Sequence, residues 1–535
     1  MNILALHLGH DGSITVISGD EIIVHHQLDR FNKFKHEFIP SHNVLVKIKE
    51  LNLKFDKVII TSMGSNLFPI NYFLHKFFNV QSKDIYEINQ TEHHYFHAVC
   101  AKHFFNNPDK AIYFIADGDG AEQPLKHESK YINGVIVGEN ETIYDEHLNH
   151  LFRNFGTWSM LNVETENIRI HPSISLGKAY QQITYELGLE EFEEGKTMAF
   201  SSYGKFKQNI FNSLIYKDKW NESLFRRHGE SYDALNKYNR FMLNPNTDHL
   251  KKGSQMADFV HTFQKAFEHL FELTLNKVKH NYDTIVLSGG CAQNILNNTR
   301  LKVNRQTNVL ADPFNGDFGI SMGAALHVAA QNQINVKPLK HICSGFEVKN
   351  DWSRFKHKKT NVSEVAKILL KEPIAIFSGK SEQGQRGLGF RSLLANPLLE
   401  NCTELVNKIK KREWYRPFAC TILHEEAHRY FEIEKGEESP YMMFVFKSKN
   451  PKLTNVCSVD GWSRIQTLKK DFHPKFYQLI KAFQKVSFIP AVLNTSLNLP
   501  GEVLCEDSND LYKLMKTSKL KYAYISDEDK LVWLE

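Results

Sequence analysis

Twice along this chain a short apolar run ends in a polar, glycine-flanked tip and turns back, and that repetition narrows the possible folds sharply. The first instance is Asn2-Ile3-Leu4-Ala5-Leu6-His7-Leu8, the tip Gly9-His10-Asp11-Gly12-Ser13, then Ile14-Thr15-Val16-Ile17, Ser18-Gly19-Asp20 and Glu21-Ile22-Ile23-Val24. The second runs through Ala111-Ile112-Tyr113-Phe114-Ile115-Ala116, breaks at Asp117-Gly118-Asp119-Gly120 and finds its return strand near Val135-Ile136-Val137. Apolar runs of this length between turn residues read as strands. Helical patterns lie between and after them, at 41–55, 173–188, 256–280 and 320–332. In the third, Met256, Phe259, Val260, Phe263, Phe267 and Leu270 form a stripe at helical spacing. Strands alternating with helices predict an α/β fold.

Two hairpins with polar tips, separated by helices, suggest a duplicated actin-like or sugar-kinase-like arrangement. At 535 residues the chain exceeds a single core. The polar, lysine-rich stretch 341–372 divides it into an N-terminal domain (1–340) and a C-terminal domain (373–535). Residues 205–255, polar and charge-mixed, read as a surface insertion. The 66 basic residues nearly balance 61 acidic ones, which argues against a nucleic-acid partner. The seven cysteines are scattered without a CxxC, so a reducing, cytoplasmic setting is expected. No apolar run approaches membrane-spanning length.

Three groups of residues suggest chemistry. His93 and His97 lie four apart, on one face of a helix, with Asp117 and Asp317 on glycine-flanked turns. Two imidazoles and two carboxylates suit a divalent metal, iron or manganese as readily as zinc, although HxxxH also arises by chance among 26 histidines. The strand Thr284–Ser288 breaks into Gly289-Gly290 and a helix, an arrangement that can offer backbone N–H groups to an anion. In the second half, Gly379–Ser392 combines four glycines with Lys380, Arg386 and Arg391, and Arg412 and Arg416 follow. With Asn494, Ser496 and Asn498 at a strand end, these favour nucleotide or acyl-phosphate binding.

In these blocks the chain resembles the O-carbamoyltransferases of nodulation and antibiotic tailoring. The likeness runs from His10-Asp11 and Asp29-Arg30-Phe31 through His93–His97, Gly195–Met198, Ser288–Asn294 and Gly316–Ala325. It continues through Gly379–Ser392, Arg412–Ala419, Asp460–Thr467 and Leu493–Asn498. It implies a duplicated actin-like (ASKHA-type) N-terminal domain and an α/β C-terminal domain of the carbamoyl-adenylate-forming (YrdC-like) kind. The activity it implies is formation of carbamoyl-adenylate from ATP and carbamoyl phosphate, then carbamoyl transfer to a hydroxyl of a small-molecule or sugar acceptor. The metal (Fe2+ first, Mn2+ or Zn2+ as alternatives) would sit on His93, His97, Asp117 and Asp317, with Mg2+ accompanying ATP. Gly289, Gly290, Asn294, Lys380, Arg391, Arg412, Arg416, Asn494, Ser496 and Asn498 would bind the nucleotide and phosphates. His10, Asp11 and Arg386 are the catalytic candidates, with His10 as general base. Where the family has GPRALG, this chain has Gly384-Gln385-Arg386-Gly387-Leu388-Gly389, a more flexible loop. Two alternatives share these features: a threonylcarbamoyl-type tRNA-modifying transferase, and a non-catalytic nucleotide-binding protein of the same fold. The acceptor and the oligomeric state, a homodimer included, stay open.

Overall fold

The structure is a computed structural model. It describes residues 1–62, 78, 80, 82–88, 92–118, 120, 122–124, 136–159, 161–225, 250–305, 307–339 and 341–534. Val135 and the centre of the expected insertion, 226–249, lie outside them. The chain divides into two compact units. One holds Met1–Leu8, Gly19–Glu21 and Lys54–Pro338, the other Gly9–Ser18, Ile22–Leu53 and Leu339–Glu535.

The expected duplication is visible in the sheet orders. One sheet runs, in space, Glu21–Gln27, Ser13–Ser18, Asn2–Leu8, Lys57–Ser62, Ile85–Ile88. The core of the other runs His150–Thr157, Ile136–Tyr144, Ala111–Ala116, Thr284–Ser288, Asn308–Ala311. In chain order both read three, two, one, four, five. In both, the first strand pairs parallel with the fourth and the fourth with the fifth. This is the duplicated actin-like pattern, and the fold is α/β. Ala111–Ala116 and Thr284–Ser288 are buried along their whole length, as central parallel strands covered on both faces must be.

Two close approaches set the backbone geometry around the charged groups of the first unit. The helix His93–Phe104 packs against the helix Ile320–Gln331, and a Cβ on Gly323 would stand 2.1 Å from the carbonyl oxygen of Phe96. Only glycine lets the two backbones come so near. Gly289, at φ +80°, crosses the end of the neighbouring strand, where a Cβ would meet the Ala116 carbonyl at 2.4 Å. The long helix Gln255–Leu275 buries its aromatic stripe, with Phe263 stacked on Trp220 at 5.2 Å, and Ser254 caps it by accepting from Ala257 N.

The second unit is built on a nine-stranded mixed sheet. Its order is Lys356–Lys359, Lys530–Trp533, Tyr522–Ile525, Ile374–Phe377, Arg391–Ala395, Ala491–Ser496, Ala419–Leu423, Trp462–Leu468, Val445–Lys447. The helices Val362–Leu369 and Pro474–Ser487 pack together. The stretch 341–372 therefore contributes an edge strand and a helix to this unit. Among the described residues no helix is long and apolar enough to cross a membrane.

Candidate metal centre and anion site

In the first unit, four side chains converge from three parts of the fold. His93 and His97 project from one helix, Asp117 ends the strand Ala111–Ala116, and Asp317 opens the turn before Ile320–Gln331. Both imidazole Nε2 atoms face Asp117 Oδ2, at 3.3 Å from His93 and 3.1 Å from His97. The same two nitrogens stand 3.6 and 3.7 Å from Asp317 Oδ1. A tetrahedral shell at about 2.1 Å from a central ion has edges of about 3.4 Å. The donor set and its spacing thus fit a divalent ion, and all four residues are buried.

The electrostatics have the same sense. Burial alone would push His97 down, but hydrogen bonds and charge from Asp117 and Asp317 outweigh it and hold the imidazole at about 9. Burial raises Asp117, and His93 and His97 more than reverse this, leaving the carboxyl well below the usual carboxylate range. Two residues not singled out in the sequence stand close by. His7, on the strand Asn2–Leu8, has Nε2 3.8 Å from Asp317 Oδ2 and Nδ1 2.9 Å from Thr61 Oγ1. His94, pushed down to about 4 by burial, contacts Thr142 Oγ1, which donates to Glu139 Oε1 at 2.6 Å. A histidine inside an otherwise apolar strand is the available signal for His7. Nothing local marks His94, whose partner lies 48 residues away.

Gly290 lies beside this centre, since its Cβ would meet Asp117 Oδ1 at 2.9 Å. The expected strand–Gly-Gly–helix unit is interrupted by a 3-10 turn, Gly290–Gln293, and the helix starts at Ile295. Asn294 caps that helix, accepting from Asn297 N at 3.1 Å, and pairs amide to amide with Gln264. On the first hairpin tip, Asp11 adopts φ +57° and binds His36 Nδ1 at 2.7 Å; His10 is half-buried beside it.

The second unit gathers cations. Arg386, Arg412, Arg416 and Arg464 lie close enough to suppress one another's charge. Burial, then Arg416, lowers Arg386 to about 10, and the same two causes lower Arg412 to about 9. Arg464 is pushed well down by burial and by the other three arginines. Arg412 donates to Thr495 Oγ1 at 2.7 Å and Arg416 pairs with Glu413 at 3.0 Å. The Nε groups of Arg386 and Arg464 are buried without a hydrogen-bond partner. Guanidiniums so crowded suit an anion. The sequence motifs include Arg464 within a block but do not mark it as a member of this site.

The other predicted residues take supporting places. Arg391 is fully buried with its guanidinium 3.5 Å from the Phe377 ring centroid, donating to the carbonyls of Ser378, Gly379, Phe390 and Glu506. Ser496 and Asn498 gather around Lys410, which donates to the Ser496 carbonyl (2.8 Å), the Asn498 carbonyl (2.8 Å) and the Asn498 side chain. Asn494 is buried and donates to Thr421 Oγ1 at 2.8 Å and the Gly387 carbonyl at 3.2 Å. Lys380 is half-buried and helps to suppress the charge of the buried His26.

Residues 20–326 match the family description "Carbamoyltransferase N-terminus", and residues 365–529 match "Carbamoyltransferase C-terminus". The chain belongs to the carbamoyltransferase family. It is a transferase. An uncharacterized protein of Methanocaldococcus jannaschii is 27% identical over 96% of this chain and 96% of its own. Nodulation protein NolO of Bradyrhizobium diazoefficiens is 29% identical, covering 65% of this chain and 67% of that protein. Nodulation protein U of Rhizobium fredii is 33% identical over 41% of this chain and 38% of its own length. The metal quartet falls in the span of the N-terminal match and the arginine cluster in that of the C-terminal match.

Proposed function

We propose that this carbamoyltransferase works in two half-reactions. In the first half-reaction, at the arginine cluster of the second unit, water displaces orthophosphate from carbamoyl phosphate to give carbamate, whose oxygen attacks the α-phosphorus of ATP, forming carbamoyl-adenylate and releasing pyrophosphate. In the second half-reaction, an acceptor hydroxyl attacks the carbamoyl carbon, AMP leaves, and the hydroxyl proton passes to a base.

The observation that carries this reading is the crowd of four arginines. Arg386, Arg412, Arg416 and Arg464 repel one another in the absence of an anion, and bringing together two highly charged phosphate substrates demands that much positive charge. Thr495, under Arg412, adds a hydroxyl. A divalent ion held by His93, His97, Asp117 and Asp317 would supply Lewis acidity toward an acyl or phosphoryl oxygen. Iron, manganese and zinc all suit this donor set. Gly289 and Gly290, lacking side chains, let their backbone pass directly against Ala116 and Asp117, beside the four converging residues, and are proposed to offer it to the nucleotide. His10 is the proposed proton acceptor and Asp11, tied to His36, fixes the tip that carries it.

Replacing Arg464 by Met tests the first half. Pyrophosphate release from ATP should keep its dependence on carbamoyl phosphate, with KM for that substrate raised roughly 10- to 100-fold. An unchanged KM would contradict the anion site. Replacing His10 by Ala should leave this release intact and abolish transfer to a hydroxyl acceptor. The acceptor class proposed is a hydroxyl-bearing small molecule or sugar.

A further inference from the structure

Arg386 is carried by a loop rich in glycine, and the loop is held in an unusual way. Gly384, at φ +117°, and Gly389, at φ +107°, adopt conformations that L side chains rarely enter. Such a loop has many conformations to lose before it can present a guanidinium. Its backbone is fastened to side chains. Glu382 Oε1 accepts from Leu388 N at 2.6 Å, and Gln466 Nε2 donates to the Leu388 carbonyl at 3.0 Å. Asn494 Nδ2 donates to the Gly387 carbonyl, and Ser392 Oγ accepts from Gly389 N at 2.9 Å.

At its other end the loop is held by residues from far away in sequence. Gln27 Oε1 accepts from Gly384 N at 2.9 Å, and Gln27 N donates to Gln383 Oε1 at 3.0 Å. Arg30 donates through one terminal nitrogen to the Gly384 carbonyl at 2.8 Å and to Gln27 Oε1 at 2.6 Å. Both residues are buried and both belong to the second unit, although they fall within the N-terminal family match. Gly384 therefore has both its N–H and its carbonyl bound by this pair, two residues before Arg386.

We propose that Gln27 and Arg30 are positioning residues for the anion site. They fix the start of the loop so that Arg386 joins Arg412, Arg416 and Arg464 before a phosphate ligand arrives. Neither contacts the ligand. The ordering cost of the loop is met in the free protein, and phosphate affinity rises accordingly. The proposal rests on the reading of the arginine cluster as a phosphate site.

The test is calorimetric titration of the full chain with pyrophosphate, alongside thermal unfolding. The proteins are the parent, Arg386→Met, Arg30→Met, Gln27→Ala, the milder Gln27→Asn, and Gln27→Glu, which keeps the acceptor oxygen. Arg386→Met should weaken binding by about tenfold or more, the scale of a lost charge-assisted contact. Arg30→Met, Gln27→Ala and Gln27→Asn should weaken it about three- to tenfold, while Gln27→Glu stays within about twofold of the parent. If Arg386→Met weakens binding but the folded Gln27 and Arg30 variants all bind like the parent, the positioning role is wrong and the anion site stands. If the three Gln27 variants lose binding equally, in step with their unfolding temperatures, the pair is merely structural and the proposal fails. If Arg386→Met changes nothing, the anion site itself is refuted.

Discussion

Glu186 and His97 show how burial acts on single residues in opposite ways. Glu186 is buried, and burial pushes its acid up to about 8 against a smaller opposing pull from Gln182. A carboxyl held above its unfolded value binds its proton more tightly in the folded state. It therefore costs no stability below about pH 4.5, and stability falls as pH rises from there toward 8. Glu186→Gln removes the ionisable group. The variant's unfolding temperature should match the parent near pH 4.5 and exceed it by roughly 1–4 °C at pH 8, as differential scanning fluorimetry across that range would show. A constant offset with pH would mean that Glu186 finds a cation or solvent when ionised. His97 has two carboxylates within reach and is held in place by them. With His97→Ala, purified protein should lose most of its bound divalent metal by elemental analysis. Pyrophosphate release in the other unit should persist, and a retained metal would show that other residues hold it.

At the level of elements, the candidate metal centre depends on how closely two helices approach. Gly323 faces the backbone of Phe96, in the turn that carries both histidines, and Cys100 Sγ lies 3.8 Å from Met322 Sδ on the same interface. Gly323→Ala must push the helices apart, because a Cβ at 2.1 Å from a carbonyl oxygen cannot be accommodated. We expect about 1–3 kcal/mol of lost stability by chemical denaturation, together with reduced metal content in the folded protein. Full metal occupancy would show that the helices slide without disturbing His93 and His97. The elements themselves are largely legible in the sequence. Strands such as Ala111–Ala116 and Thr284–Ser288 are continuous apolar runs, and the helix Gln255–Leu275 declares itself by its aromatic stripe. Glycine turns mark where Asp117 and Asp317 sit, so the four residues that converge in the first unit can be read out together. The helix Val362–Leu369 escapes such a reading because only Val365, Ala366 and Leu369 face inward, too short a pattern to separate from a polar stretch.

What sequence could not show is which side chains neutralise or crowd one another across long separations. Asn494 and Asn294 read as ligand contacts because amides at strand and helix ends often are. In the fold Asn294 is occupied as a helix cap and partner of Gln264, and Asn494 holds the Gly387 carbonyl. Arg464 does not stand out as a site residue because its companions lie on the loops at 386 and 412–416, far away in the chain. Across the whole molecule, the two units of this carbamoyltransferase each carry one charged centre, a carboxylate–imidazole quartet in the first and an arginine cluster in the second. On the proposed mechanism, that division makes the two half-reactions separable by mutation. The most direct test is pyrophosphate release from ATP by the metal-loaded protein, with and without carbamoyl phosphate and with no acceptor present. The account predicts release only when carbamoyl phosphate is supplied, surviving His97→Ala and weakened by Arg464→Met. Absence of release from folded, metal-loaded protein, or release indifferent to carbamoyl phosphate, would contradict it.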